Sequence, residues 1–257
     1  MDERGVASDR HADSPFAPVQ TPRISIKHLM LWTLCSAVIL TLGRALTVYQ
    51  GGSPNAYGAI QGASSAINGV ITGAIFAGAI VLVFTRVRSG PPMLRQPGHW
   101  ILFILAVQYL IYLPVIAWML LVNYFKMFES SITFVYCSNF VFLPIAYSLA
   151  ARSQHTRRWR VLFFVLAVVT LAQGLSFVAM MWSFDLPGFR ASMSWITVSA
   201  EVSAWGSRLL AVVILATSFV ELAAGDRRDW LHWTGIVTFV AITVAALLWT
   251  MGSWFFR

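Results

Sequence analysis

The chain has 257 residues, 58% of them hydrophobic and only 11% charged, and carries a net charge of +8. Its mean hydropathy is +0.72 and its pI near 10.1. Soluble domains average about 25% charged residues, so a soluble globular protein is excluded. The basic residues fall in short connections between apolar runs, which is the signature of membrane insertion rather than of nucleic-acid binding.

The first 27 residues read as a disordered cytoplasmic tail, with Pro15, Pro18 and Pro22 set among acids, Ser and Ala. The tail gives way to Thr21-Pro22-Arg23-Ile24-Ser25-Ile26-Lys27-His28-Leu29-Met30-Leu31. This basic step into a first apolar helix resembles the start of uncharacterised multi-pass proteins of the bacterial inner membrane, and the resemblance implies no activity. The run that follows is longer than the about 7 to 15 residues of a signal peptide, and Gly43-Arg44-Ala45 is a poor cleavage site. A retained anchor is expected.

Seven apolar runs follow: Leu29 to Tyr49, Ala63 to Phe84, Trp100 to Val122, Ile132 to Leu149, Val161 to Trp182, Trp195 to Leu222 and Leu231 to Phe255. As helices rising about 1.5 Å per residue, each can cross a hydrocarbon core roughly 30 Å thick. The expected fold is therefore an all-α, polytopic transmembrane bundle of seven spans over residues 28–257. Thirteen Lys and Arg lie in the tail and alternate connections, against Lys126, Arg190 and Arg257 on the other side. The bias orients the N-terminus in the cytoplasm and the C-terminus outside, in the cell membrane, with a bacterial inner membrane the expected location.

In the second run, Gly69 and Gly73 form a G-x-x-x-G that Ala74 and Gly78 continue, a spacing that lets helix backbones approach closely. Packing within the bundle is the expected use, with a homodimer contact as the alternative. Pro114 and Pro144 remove backbone hydrogen bonds inside the third and fourth runs and should kink them. Cys35 and Cys137 sit at different depths, so no disulfide between them is expected.

No residues argue for a cofactor. His28, His99 and His232 open helices at the cytoplasmic side, where the neighbouring Trp100 and Trp233 make interfacial anchoring a simpler account than a metal cluster. No haem ligand lies at membrane depth, and the two lysines, Lys27 and Lys126, are not in the last helix where a retinal Schiff base would need one. Neither a phosphate-binding G-x-x-x-x-G-K-[ST] loop nor an H-E-x-x-H zinc motif occurs. The expectation is no catalytic residue, no cofactor and no metal.

The sixth run carries charge of both signs. At about 100° per residue, Thr197, Glu201, Trp205 and Arg208 share one face, while Ser199, Ser203 and Ser207 lie nearly opposite as a small packing face. Charged groups seek the bundle interior and small residues permit close contact, so this helix is expected among others, with Arg208 near the midplane. Two functions fit: a transporter-like or small-molecule- and ion-binding bundle acting through Glu201 and Arg208, or a non-catalytic membrane subunit or scaffold that binds a partner membrane protein or a second copy. An enzyme fits least.

Overall fold

A computed structural model describes residues 24–49, 56–89, 94, 96–121, 128–185, 193–226 and 228–255, with side chains placed over 24–41, 66–85, 94, 96–112, 140–178, 198, 201–202, 205–226 and 228–247. Among the described residues all regular structure is helical: α1 Ile26–Tyr49, α2 Ala56–Ser89, α3 Pro97–Leu121, α4 Phe128–Ser153, α5 Arg157–Asp185, α6 Met193–Ala223 and α7 Trp230–Phe255. Four are long and apolar enough to cross a membrane, over Ala66–Thr85, Arg157–Val178, Trp205–Ala223 and Trp230–Leu247. Shorter apolar stretches occupy Ile26–Thr41, Pro97–Tyr112 and Phe140–Ser153. The described residues are thus all-helical, and four of the helices fit a membrane protein.

Local chemistry sets the helix ends. Ser25 caps α1, and its N–H donates to His28 Nδ1 at 3.1 Å, so the third helical residue reaches back to the cap. Pro97 opens α3, where its missing N–H costs nothing. Asp229 caps α7, its Oδ1 accepting from the N–H of His232 at 2.9 Å. At the end of α6, Gly225 adopts φ 86°, a left-handed conformation natural to Gly. The N–H groups of Gly225 and Asp226 then return to the carbonyls of Leu222 and Glu221 at 3.0 Å each, satisfying carbonyls that the helix leaves open. Each helix begins before its apolar run, and α2, α4, α5 and α6 also end beyond theirs, because polar and small residues next to an apolar run continue the helix. Thus α2 starts at Ala56 rather than Ala63, and α4 at Phe128 rather than Ile132.

Consecutive helices run antiparallel. The pair α3 and α7 forms the centre, flanked by α2 on one side and by α4, α5 and α6 on the other, and α1 packs chiefly on α2. The core runs through Ile75 and Leu82 of α2, Ile101, Leu102 and Ile104 of α3, Phe163 of α5, Ile214 of α6 and Ile236 of α7. Glycines set the closest approaches. A methyl on Gly73 would meet the main chain of Ser36 at 2.6 Å, and one on Gly69 would meet Leu40, so these two seat α2 on α1, whereas Gly78 faces Leu102 of α3. A second close crossing involves glycines that the sequence spacing did not single out. A methyl on Gly98 would strike the His232 carbonyl, and one on Gly235 would strike the Gly98 carbonyl, so α3 and α7 cross backbone against backbone.

Candidate functional site

The Gly98 and Gly235 crossing brings the first turns of α3 and α7 together and builds a buried polar layer at that end of the bundle. Asp229 is its hub. Its two carboxylate oxygens lie 2.9 and 3.0 Å from His99 Nε2, and its backbone N–H donates to Gln96 Oε1 at 3.3 Å. Burial alone would raise the Asp229 carboxyl, but the hydrogen bond and charge of His99, together with the His232 N–H, outweigh it and hold the group below its ordinary value of 3.8. His232 is completely buried. Its Nδ1 accepts from the Gly98 N–H at 3.0 Å, which leaves its ring proton on Nε2. The ring stands edge-on to Trp159, with centroids 6.1 Å apart.

A second half of the layer joins α5 to α6. Trp159 Nε1 donates to Glu221 Oε1 at 2.6 Å, and Arg228 Nη2 donates to Glu221 Oε2 at 3.0 Å. Arg228 also lies 3.6 Å from Asp226. Glu221 is 6% exposed and Trp159 1%, so these bonds work where water competes little. Among the described residues, His232 Nε2, His99 Nδ1, Arg228 Nε and the indole nitrogens of Trp100 and Trp230 are buried with no protein partner, and are natural seats for ordered water. Among the described residues no three His, Cys, Asp or Glu side chains converge as a metal site requires. The chemistry this layer performs is mechanical: it ties α3, α5, α6 and α7 at one level.

The residues singled out in α6 lie elsewhere. Glu201 is exposed, Trp205 is 58% exposed, and the Arg208 guanidinium sits 4.6 Å from the centre of the Trp205 ring, a cation–π contact. Measured from Glu221 along the helix, Arg208 is about 20 Å away and Glu201 about 30 Å, so Glu201 is one hydrocarbon thickness from the polar layer. Ser207 accepts from Gln173 Nε2 of α5 at 2.9 Å. Thr197, Ser199 and Ser203 have side chains outside the described residues, as do Cys137 and Pro114. Cys35 is a free thiol.

His99 and His232, expected at the cytoplasmic side beside Trp100 and Trp233, also belong to this buried layer. The signal that would have found the layer is Asp229, an Asp directly before an apolar run and three residues before a His, which is an N-cap pattern. A separate apolar groove of about 380 Å³ lies between α1, α2 and α7, walled by Trp32, Val81, Trp230, Trp233 and Val237, with His28 against Trp230 at 5.1 Å. No known protein family, curated protein or solved structure matches the chain.

Proposed function

We propose that the protein is a non-catalytic scaffold or subunit of the cell membrane, with seven spans, N-terminus in the cytoplasm and C-terminus outside, and that α6 docks a helix of a different membrane protein. The observation that carries this reading is the outer seam of α6. Val198, Val202, Trp205, Leu209 and Val212 recur at steps of four and three residues and are 51 to 65% exposed. Ala211, Ile214, Ser218 and Glu221 form the opposite, buried face. A four–three repeat suits lipid as well as a second helix, and the charges beside the α6 seam are what favour a helix partner there. Glu201 and Arg208 each stand one residue before a seam position, Val202 and Leu209, where charges select the partner.

The charges also argue for the kind of partner. In a parallel pairing of α6 with a second copy, Glu201 would face Gly206 and Arg208 would face Val213, so neither would meet its opposite. A different helix, with a cation at the level of Glu201, gives that exposed carboxylate its opposite across the seam. A transport path through the bundle would need these groups turned inward, and the exposure of Glu201 and Trp205 supports the scaffold instead. The orientation is supported by Lys27, Arg152, Arg157, Arg158, Arg160 and Arg228, all at the end of the buried polar layer.

A photo-crosslinking residue in place of Val202 or Leu209, in cells, should trap one protein of defined mass other than the chain itself. The same residue at Val168 of α5 should trap only lipid, and Arg208→Leu should abolish the protein adduct. Adducts to lipid alone from α6 would sink the scaffold reading. Cysteines at 201 and 208 that react with a water-soluble thiol reagent, protected by a small solute, would restore transport. A C-terminal reporter should be active only outside the cytoplasm.

A further inference from the structure

Where α4 ends and α5 begins, a cavity of about 390 Å³ is lined by Ser148, Ala151, Arg152, Arg160, Val161 and Phe164. We infer that it binds the headgroup of an anionic phospholipid, whose acyl chains lie along the outer face of α5. Three observations converge on that ligand.

The rim is cationic without compensation. From Glu129 to Asp185 the chain contains no acidic residue between them, while Arg152, Arg157, Arg158 and Arg160 crowd the connection. Among the described residues Arg152 makes no ion pair or hydrogen bond, so its guanidinium is available for two parallel bonds to a phosphate. Arg160 is held in place. Its Nη2 donates at 3.1 Å to the carbonyl of Gln154, a residue only 4% exposed, which fixes one end of the guanidinium and leaves the rest directed to the rim. Ser148 adds a hydroxyl.

The cavity continues into an apolar stripe. Val161, Phe164, Val168, Leu171 and Leu175 are 42 to 61% exposed and follow one another down α5 at helical spacing. They cover about 21 Å of rise, more than the roughly 15 Å of one leaflet. A free phosphate would use the rim alone. An amphipathic molecule with an anionic head and long chains uses both, and basic pockets between membrane helices are suited to such headgroups.

The level is right for a headgroup. Trp159, beside Arg160, donates to Glu221 in the buried polar layer, and that layer carries the tryptophans Trp100, Trp230 and Trp233 that favour the membrane boundary. The site does not depend on what covers α6.

Delipidated protein in a neutral detergent, titrated with phosphatidylglycerol, should show a saturable rise in its unfolding midpoint, and native mass spectrometry should retain one such lipid. Phosphatidylcholine and inorganic phosphate should give no saturable rise. Arg152→Gln, which breaks no ion pair or hydrogen bond among the described residues, should weaken phosphatidylglycerol at least tenfold without moving the lipid-free midpoint. The pair Arg157→Gln and Arg158→Gln should weaken it no more than about threefold. Equal effects of the two phospholipids, a full effect of phosphate alone, or an Arg152→Gln variant that binds like the control pair would each overturn the assignment. Lipid counts on the wild-type protein decide the matter if a variant fails to fold.

Discussion

The two halves of α6 each carry a Glu, engage a Trp and lie near an Arg, and the bundle treats the two sets in opposite ways. At one end Glu221 is buried, accepts from the Trp159 indole and is paired with Arg228. Twenty residues earlier Glu201 is exposed, Trp205 lies outside, and Arg208 rests on its ring. The difference lies in the neighbours. Near Glu221, α5 and α7 close around the helix and bulk water is excluded, so losing the partner of a polar group there is costly. Near Glu201 the face of α6 that carries Val202, Trp205 and Leu209 is exposed, so lipid, water or another protein can reach it. The buried set holds the fold, and the exposed face beside Glu201 can serve as a surface.

Breaking the buried set should cost most. Glu221→Ala leaves the buried Trp159 N–H unpaired and Arg228 with only Asp226 at 3.6 Å, and should lower stability by about 3 kcal/mol, read as a lower unfolding midpoint in detergent and reduced membrane yield. Glu201→Ala should change either by no more than about 0.5 kcal/mol. Equal losses would mean that the two ends are equivalent after all. The next largest effect is steric. Gly98→Ala puts a methyl against the His232 carbonyl and should cost about 2 kcal/mol through overpacking, whereas Gly206→Ala, whose methyl would meet Val169 at an ordinary 3.7 Å, should be nearly neutral.

A pH test sharpens the same contrast. Asp229 has its carboxyl held below its ordinary value of 3.8 in the folded protein. The unfolded chain therefore takes up a proton first on acidification, and stability present above about pH 4 is lost as pH falls through the lower folded value. Asp229→Asn removes that titration, so its unfolding midpoint should fall less than that of the wild type between pH 5 and pH 3. An unchanged acid limb would show that Asp229 is not held as described. The smallest effect is expected at the outer seam: Val202→Ala, at a side chain 65% exposed, should leave the isolated protein's midpoint within about 0.5 kcal/mol of the wild type, while weakening the crosslink from Leu209.

The helical class and the positions of the helices were legible because long apolar runs separated by Gly, Pro and charge admit little else. The Gly69 and Gly73 seat was legible too, since the spacing alone puts both on one face. The buried polar layer was not. It joins His99 to Asp229 and Trp159 to Glu221, pairs separated by more than a hundred and by about sixty residues, and no local pattern reports which helix ends will meet. In α6 the helical wheel did group Glu201, Trp205 and Arg208, but an angle around an axis fixes which residues share a face and not which face is covered. That depends on the arrangement of α5 and α7, a property of the whole chain.

The contact between Gly98 and Gly235 has a mechanical consequence. Backbone meets backbone there, with no side chain between to flatten or rotate, so the crossing resists compression and behaves as a fulcrum for α3 and α7. From Gly235 to the end of α7 at Phe255 the helix extends about 30 Å. A rotation of about 5° at the fulcrum would carry that far end between roughly 2 and 3 Å across the bilayer plane, by the geometry of a rigid helix of that length. Force applied to the opposite end of the bundle is therefore delivered, with leverage, to the histidines and carboxylates gathered at the crossing.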